Sequence, residues 1–109
     1  MAELDAARNA ELAIDTHVDS TGAHVVNVSG ELDISTAPGL EASVARITAE
    51  LPERLIFDLS ELRFMDSAGI AVLIAAAAKA DTVRLRNPSP IIRRVVGISG
   101  LSDVLPIES

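Results

Sequence analysis

Cysteine is absent from the 109 residues, and aromatic side chains are nearly absent, with no Trp, no Tyr and only Phe57 and Phe64. The lack of cysteine excludes disulfides, thiolate metal sites and a cysteine nucleophile, and it fits a reducing compartment. Hydrophobic residues nevertheless make up 49% of the chain, so it has enough apolar surface for a core. The sequence predicts one domain of ordinary size with an aliphatic core.

No stretch of the sequence has the pattern of a membrane span or a secretory signal. The longest apolar run is the eleven residues 68–78, whereas a transmembrane helix needs about 20. Residues 1–10 carry Glu3 and Asp5 and have no basic segment followed by an apolar one, which a signal requires. We expect a flexible start over these residues, a domain over 11–109, a cytoplasmic location and no membrane insertion.

Acidic side chains outnumber basic ones, and the formal net charge is −7. A chain this acidic is a poor candidate for direct binding to nucleic acid or to an anionic membrane. The excess is uneven, since residues 1–66 hold 13 acidic and 4 basic side chains, whereas residues 67–109 hold 3 and 5. A basic partner surface would be steered towards the first part. A generically acidic surface explains the count equally well but not its location.

Hydrophobic periodicity predicts a hairpin, a helix and a central strand in the first half. Alternation over residues 12–18 and the β-branched run His24–Ser29 flank turn residues, which is typical of a β-hairpin. A helix capped by Ser35 or Thr36, with Pro38 in its first turn, is expected to end at Pro52. Its apolar stripe is Leu40, Val44, Ile47 and Leu51. The nearly continuous apolar run Arg54–Leu59 indicates a strand covered on both faces.

The second half adds helices over about residues 70–80, apolar almost all round, and from Ser89 to Gly97. Between them Thr82–Arg86 alternates as a strand, and residues 101–107 can supply a last short one. The order β-β-α-β-α-β-α-β predicts a single α/β domain whose mixed sheet is an antiparallel hairpin followed by mostly parallel strands. Functional loops of such sheets cluster at the carboxyl ends of the strands, here residues 30–36 and 60–69.

Asp66 and Ser67 lie where the second of these loops becomes a helix. A helix N-terminus offers unpaired N–H donors and a partial positive charge, so a phosphate on Ser67 would suit this position. The simpler interpretation is that Ser67 is the N-cap of the helix and Asp66 an acid favoured by the helix dipole. Spacing alone favours the simpler interpretation.

Three sequence blocks resemble one known family. They are G-E-L-D at residues 30–33, L-S-E-L-R-F-M-D-S-A-G-I at 59–70, and S-P at 89–90 followed by I-S-G-L at 98–101. Together, in this order, they are similar to STAS domains of the bacterial anti-sigma factor antagonist family, and the resemblance covers roughly residues 10–107. It agrees with the element order obtained from periodicity.

The resemblance implies a phosphorylation switch in transcription regulation under stress. In that family the serine after the aspartate, here Ser67, is phosphorylated by a partner that is both an anti-sigma factor and a serine kinase. The unphosphorylated antagonist binds this partner and releases the sigma factor, phosphorylation prevents binding, and a serine phosphatase resets the switch. Partner-binding residues carried over in this way are Glu31, Asp33, Asp66, Ser67, Ala68 and Ile70.

Alternatives stay open for some of these residues. Asp33 is equally explained as a loop acid or a helix-capping partner, and Ile70 as part of the core. Many members carry a second Ser or Thr where this sequence has Ala68, so one phosphorylation site is expected. Many also finish with a further helix, which is either absent here or trimmed from the chain. Without it the edge near the last strand would be open to weak self-association or to a different partner.

Two other functions are alternatives to this one. The nearest is a STAS subunit of a stressosome or of a lipid-transport ATPase complex. A serine hydrolase using Ser67 with His17 or His24 is disfavoured, because the G-x-S-x-G turn is missing. The two histidines lack the spacing of a metal pair, and no glycine-rich nucleotide motif occurs. We therefore expect a binding module without catalytic residues, metal or cofactor.

Overall fold

The computed structural model describes residues 12–101 and 103–108, so the flexible start predicted for residues 1–10 lies outside the described part. The elements are β1 (Leu12–Val18), β2 (His24–Leu32), α1 (Ala37–Thr48), β3 (Arg54–Met65), α2 (Ser67–Ala77), β4 (Thr82–Arg86), α3 (Pro90–Ile98) and β5 (Ile107–Glu108). This is the predicted order β-β-α-β-α-β-α-β. The predicted single α/β domain is confirmed.

The five strands form one sheet in the order β1-β2-β3-β4-β5, with β1 antiparallel to β2 and the remaining pairs parallel. Val26, Phe57 and Leu85 are neighbours across it and are buried. They share one core cluster with buried residues of all three helices: Leu40, Val44, Val72, Leu73, Ala76, Ile92 and Val96. All three helices therefore cover the same face of the sheet, and the core is aliphatic apart from Phe57.

The central strand β3 is twice as long as the predicted run Arg54–Leu59. It continues through residues 60–65 of the predicted loop 60–69, and Gly30–Leu32 of the predicted loop 30–36 likewise remain in β2. The pairing of β2 with β3 shifts register twice, between Asn27 and Ser29 and between Gly30 and Glu31. Each shift inserts an extra residue into β3. Buried side chains therefore recur at a spacing of three, at Leu59, Leu62 and Met65, instead of the spacing of two that alternation requires.

Helix α1 ends earlier than predicted, at Thr48 rather than Pro52. Leu51, expected in the buried stripe, lies beyond the helix with a φ of 53° and is 81% exposed. Helix α3 begins as predicted, with Ser89 Oγ accepting a hydrogen bond from the Ile92 N–H at 3.4 Å, but it continues past Gly97. The reversal occurs at Gly100, where φ is 72° and only glycine is unstrained.

The last strand is shorter than the predicted stretch 101–107. Among the described residues after α3, only Ile107 and Glu108 pair with β4. An ion pair closes this edge, with 2.6 Å between Arg86 Nε and Glu108 Oε1. The hydrogen bond from Arg86 to Glu108 raises the pKa of the guanidinium further. None of the helices in the described residues is long and apolar enough to cross a membrane.

Candidate functional site

The carboxyl ends of β2 and β3 bring the predicted site residues together. Leu32 pairs with Met65 at the last position of each strand, and the Asp66 N–H donates to the Leu32 carbonyl at 3.2 Å. Two connections therefore start side by side. We call residues 33–36 the Asp33 loop and residues 66–69 the Ser67 turn.

Asp66, and not Ser67, is the N-cap of α2. Its Oδ1 accepts hydrogen bonds from the N–H of Ala68 at 2.9 Å and of Gly69 at 3.4 Å. The simpler interpretation of the sequence, with Ser67 as the cap, is therefore wrong. Because Asp66 accepts two of the free donors of the first turn, the Ser67 hydroxyl is not needed for capping, and Ser67 is exposed at the first helical position.

Gly69 fixes the distance between α2 and the end of β2. A Cβ atom on Gly69 would lie 2.7 Å from Cγ and Cδ2 of Leu32 and 2.8 Å from Cγ of Met65. Real side chains do not approach this closely, and both neighbours are buried. The glycine of the D-S-A-G segment is thus required by packing, and it holds Ser67 at a set position relative to the Asp33 loop.

The Asp33 loop is held by hydrogen bonds of its own side chains. Asp33 Oδ1 accepts from Ser35 Oγ at 2.7 Å, from the Ser35 N–H at 2.9 Å and from the Thr36 N–H at 3.1 Å. Thr36 Oγ1 donates to the Glu31 carbonyl at 2.8 Å and accepts from the Asp33 N–H at 2.9 Å. The Ser35 hydroxyl, together with the backbone donors, lowers the pKa of the Asp33 carboxyl.

These contacts give Asp33 a role inside its loop, in agreement with the interpretation of Asp33 as a loop acid. The side chain is half-buried, whereas Glu31 is exposed and its Oε2 lies 3.9 Å from Nη2 of the exposed Arg63. Contact of either acid with a partner stays a prediction. An exposed pair at this distance contributes little to stability, so Glu31 is free to exchange Arg63 for another cation.

Helix α2 is apolar almost all round, as predicted, but it is not buried all round, because one apolar stripe is exposed. Ser67, Ile70, Ala71 and Ile74 follow one another at spacings of three, one and three, which places them on one side of the helix. Ser67, Ala71 and Ile74 are exposed, while Ile70 is half-buried against the core. We call these four residues the α2 stripe. Ala68, the other predicted contact, is also half-buried against the core.

Two more apolar side chains are exposed beside the two connections. Ile34, within the Asp33 loop, is 80% exposed, and Phe64, next to last in β3, is 47% exposed. Sequence reasoning missed both, as well as Ala71 and Ile74. A signal existed for three of these four residues: Ile34 is the one apolar residue of a polar loop, and Ala71 and Ile74 follow Ser67 at helical spacing.

The histidines that a serine hydrolase would need do not lie near Ser67. His24 begins β2 and His17 lies beside it, opposite Val25, whereas Ser67 follows the strand paired with the other end of β2. Nine residues of strand separate the two ends by about 26 Å. Among the described residues no three His, Asp or Glu side chains gather as a metal site.

Comparison with known proteins agrees with this arrangement. The family model described as "STAS domain" matches residues 14–109. Among curated proteins, the anti-sigma-F factor antagonist RsfB of Mycobacterium tuberculosis is 36% identical over 64 residues, 59% of this chain and 52% of that protein. The match thus spans about half the length of that relative. The anti-sigma-B factor antagonist of Bacillus subtilis is 30% identical over 88 residues, 77% of this chain and 80% of that protein.

Solved structures give the same result for the fold. An anti-sigma factor antagonist from Mycobacterium paratuberculosis superimposes with a TM-score of 0.81 at 32% identity, over 88% of this chain and 84% of that one. The anti-sigma factor antagonist SpoIIAA in its unphosphorylated form gives a TM-score of 0.73 at 25% identity, over 89% of each chain. These proteins are similar to this chain along nearly all of its described length.

Proposed function

Because the chain belongs to the STAS domain family, we propose that it is an anti-sigma factor antagonist switched by phosphorylation of Ser67. In this proposal the unphosphorylated chain binds an anti-sigma factor that is also a serine kinase, and the sigma factor is released. The kinase modifies Ser67, which ends binding, and a serine phosphatase restores the starting state. The chain acts as a binding module in the cytoplasm and not as an enzyme.

The exposed hydroxyl of Ser67 at the start of α2 carries the proposal. Asp66 caps the helix in its place, so modification of Ser67 removes no cap and breaks no packing. Ala68, at the next position, has no hydroxyl, which leaves one acceptor in the Ser67 turn. The relatives named as antagonists, one of them described in an unphosphorylated form, support the same assignment.

The surroundings of Ser67 supply the surface for a partner. The α2 stripe and Ile34 offer exposed apolar area, and Glu31, Asp33 and Asp66 add acidic groups at its border. Apolar area buried at the centre of such an interface provides affinity, while the charges at its rim guide a basic partner. In this proposal Ala68 and Ile70 support the apolar part from their half-buried positions.

A phosphate on Ser67 would act through its charge. It adds roughly −1.5 to −2 at neutral pH, next to Asp66, whose carboxylate already takes the N–H groups of Ala68 and Gly69. In the free protein the group is exposed and hydrated, so the fold survives. Pressed against a partner it would be desolvated beside the Asp66 carboxylate, at a cost of several kcal/mol. Since about 1.4 kcal/mol is tenfold, we expect affinity to fall by about 100-fold or more.

Binding to the kinase-type anti-sigma factor of the same organism tests the proposal. We expect Ser67→Ala to stay bound when ATP is present, because it cannot be phosphorylated. We expect Ser67→Asp to bind poorly. The matched control is Ser60→Asp, which adds the same charge at an exposed position of β3, away from the α2 stripe, and should bind as the unmodified protein does. Equal weakening by both aspartates would contradict the proposal.

The site of modification is a separate measurement. After incubation with the kinase and ATP, mass spectrometry should find one phosphate, on Ser67. A phosphate on Ser60 or Ser35, or several phosphates, would contradict the assignment of the acceptor. Release of the sigma factor in the same mixture distinguishes an antagonist from a STAS subunit of a stressosome or a transport complex.

A further inference from the structure

Strand β1 lies at the edge of the described sheet and pairs on one side only. β2 occupies that side, and in the described residues no strand pairs with the other. Ala13, Asp15, Thr16, His17 and Val18 are all exposed, and Val18 is 58% exposed. A strand with an unpaired row of backbone donors and acceptors is a template for another strand. The other edge offers less, since β5 has two residues.

The hairpin turn fixes which backbone groups of β1 face outwards. The Asp19 N–H donates to the Ala23 carbonyl at 2.9 Å, so Asp19 and Ala23 form a hydrogen-bonded pair. Such pairs alternate along an antiparallel ladder. His17, Asp15 and Ala13 therefore direct their N–H and C=O groups to β2. The residues between them, Leu12, Ile14, Thr16 and Val18, direct theirs to the open edge.

A second copy of β1 fits this edge in one register better than in the others. We propose that two chains pair antiparallel through β1, about a two-fold axis at Thr16. Thr16 then faces Thr16, Ile14 faces Val18, and each of these residues points its backbone groups outwards. Asp15 of each copy faces His17 of the other in a pair without backbone hydrogen bonds, where side chains are closest. An imidazole donates a hydrogen bond to a carboxylate in either of its protonation states.

Axes at His17 or Val18 pair at most three residues of β1 with β1, and the other symmetric registers that pair five or more residues lack this complementarity. An axis at Asp15 pairs all seven residues of the strand but places the two Asp15 carboxylates directly opposite one another, which is destabilising. An axis at Ile14 leaves Asp15 facing Ala13. Axes between residues would set outward backbone groups against inward ones, so that no ladder forms. Charge and hydrogen-bond alternation thus select the same axis.

The proposed dimer is independent of the switch at Ser67. Ser67 follows β3, which is separated from β1 by β2. The Ser67 of each chain therefore lies away from the proposed β1–β1 contact. Each chain carries a net charge of −7. At 0.15 M salt the Debye length is about 8 Å, which screens repulsion between whole chains more than the contact of facing side chains. We therefore expect a weak, concentration-dependent dimer.

Cross-linking through single cysteines tests the register, because the natural chain has no cysteine. In Thr16→Cys the two Cα atoms would lie about 5.5 Å apart, within the range that a disulfide bridges. In the control Ala13→Cys they are offset by six residues, about 20 Å. We expect Thr16→Cys to form a disulfide dimer at least about tenfold faster. Equal rates, or faster linking of Ala13→Cys, would overturn the proposal.

Charge exchange tests the facing pair. His17→Asp sets aspartates opposite one another, and Asp15→Lys sets lysine against histidine, so each variant should lose the dimer in sedimentation experiments. The double variant Asp15→Lys with His17→Asp again pairs opposite charges and should restore it. A dimer that survives both single variants, or a chain that is monomeric under all conditions, contradicts the proposal whatever the outcome at Ser67.

Discussion

The Asp33 loop and the Ser67 turn start from the same chemistry and end differently. Each begins with an aspartate directly after a parallel strand, and in each the carboxylate accepts N–H groups of the residues that follow. In the Asp33 loop the serine hydroxyl also donates to the carboxylate, at 2.7 Å. In the Ser67 turn the serine is the next residue and the first of a helix, so it points away from the carboxylate that caps the helix.

The comparison shows what makes one of two neighbouring serines available. Ser35 is two residues after its aspartate, where its hydroxyl closes the turn. Ser67 is one residue after its aspartate, where the helix leaves it exposed and the stability of the turn does not depend on it. The spacing of serine from aspartate thus separates a structural hydroxyl from one that a kinase can use.

The largest effect should come from filling the space at Gly69. Gly69→Ala forces a Cβ against Leu32 and Met65, and overpacking of this kind costs about 1 to 3 kcal/mol. Gly39→Ala in α1 is the control, because a Cβ there meets nothing within 4 Å. We expect the control to gain up to about 1 kcal/mol, since alanine favours helix over glycine. Urea unfolding measures both, and equal effects would disprove the close contact.

Substitution of the two aspartates should affect different properties: stability at Asp66 and partner binding at Asp33. Asp66→Ala removes the cap of α2 and should cost about 0.5 to 2 kcal/mol in thermal unfolding, whereas Asp66→Asn keeps an oxygen for the N–H groups and should restore most of that. Asp33→Asn likewise keeps the turn but loses the charge. Weaker partner binding by Asp33→Asn with unchanged stability would give Asp33 a direct role in binding. Unchanged binding would leave it a role in the loop only.

Truncation should lower the stability of the chain at one of the two serines and not at the other. Ser35→Ala removes the hydroxyl donor to Asp33 and should lower the free energy of unfolding by about 0.5 kcal/mol, at the low end for a hydrogen bond because the site is exposed. Ser67→Ala removes no side-chain hydrogen bond found among the described residues, so it should leave the free energy of unfolding unchanged and yet abolish phosphorylation. A clear loss of stability in Ser67→Ala would mean that its hydroxyl takes part in the fold.

The smallest effect is a pH dependence of the Asp33 loop. The pKa of Asp33 is lowered from its ordinary value of 3.8, mainly by the Ser35 hydroxyl. A carboxyl with a lower pKa in the folded state stabilises the fold above its unfolded pKa, and this contribution is lost as pH falls through the folded pKa. Unfolding between pH 5 and about 2 should therefore depend less on pH in Asp33→Asn. If the free energy of unfolding changed with pH equally in both proteins, the carboxylate of Asp33 would not be stabilised by its loop.

Much of the fold could be predicted, because the determining signals are local. Alternation in β4, the turn of the hairpin and the Ser89 cap each depend on a few adjacent residues, and the structure confirms them. The extension of β3 to Met65 could not be predicted in the same way. Its polar residues Ser60, Glu61 and Arg63 interrupt the alternation, and the bulges that accommodate them arise only when β2 pairs with it.

The predicted site residues lie together in the structure, but the cap of α2 was predicted wrongly, for a related reason. Asp66 and Ser67 are both good N-caps, and the choice between them depends on where β3 ends. That end is set by the bond from the Asp66 N–H to the Leu32 carbonyl, a contact across 34 residues of sequence. The exposure of the α2 stripe was missed because an all-apolar helix gives no indication of which side the sheet will cover.

The strand order also affects how the chain acquires its structure. Every strand of the described sheet lies beside the strand that precedes or follows it in the chain, and none is inserted between earlier ones. Pairings between sequence neighbours keep loop-closure entropy low for a parallel sheet, which favours rapid folding. The sheet can therefore grow outwards from the hairpin in the order in which the ribosome delivers the strands. Pulse-labelling hydrogen exchange during refolding would contradict this order if β4 were protected before β2.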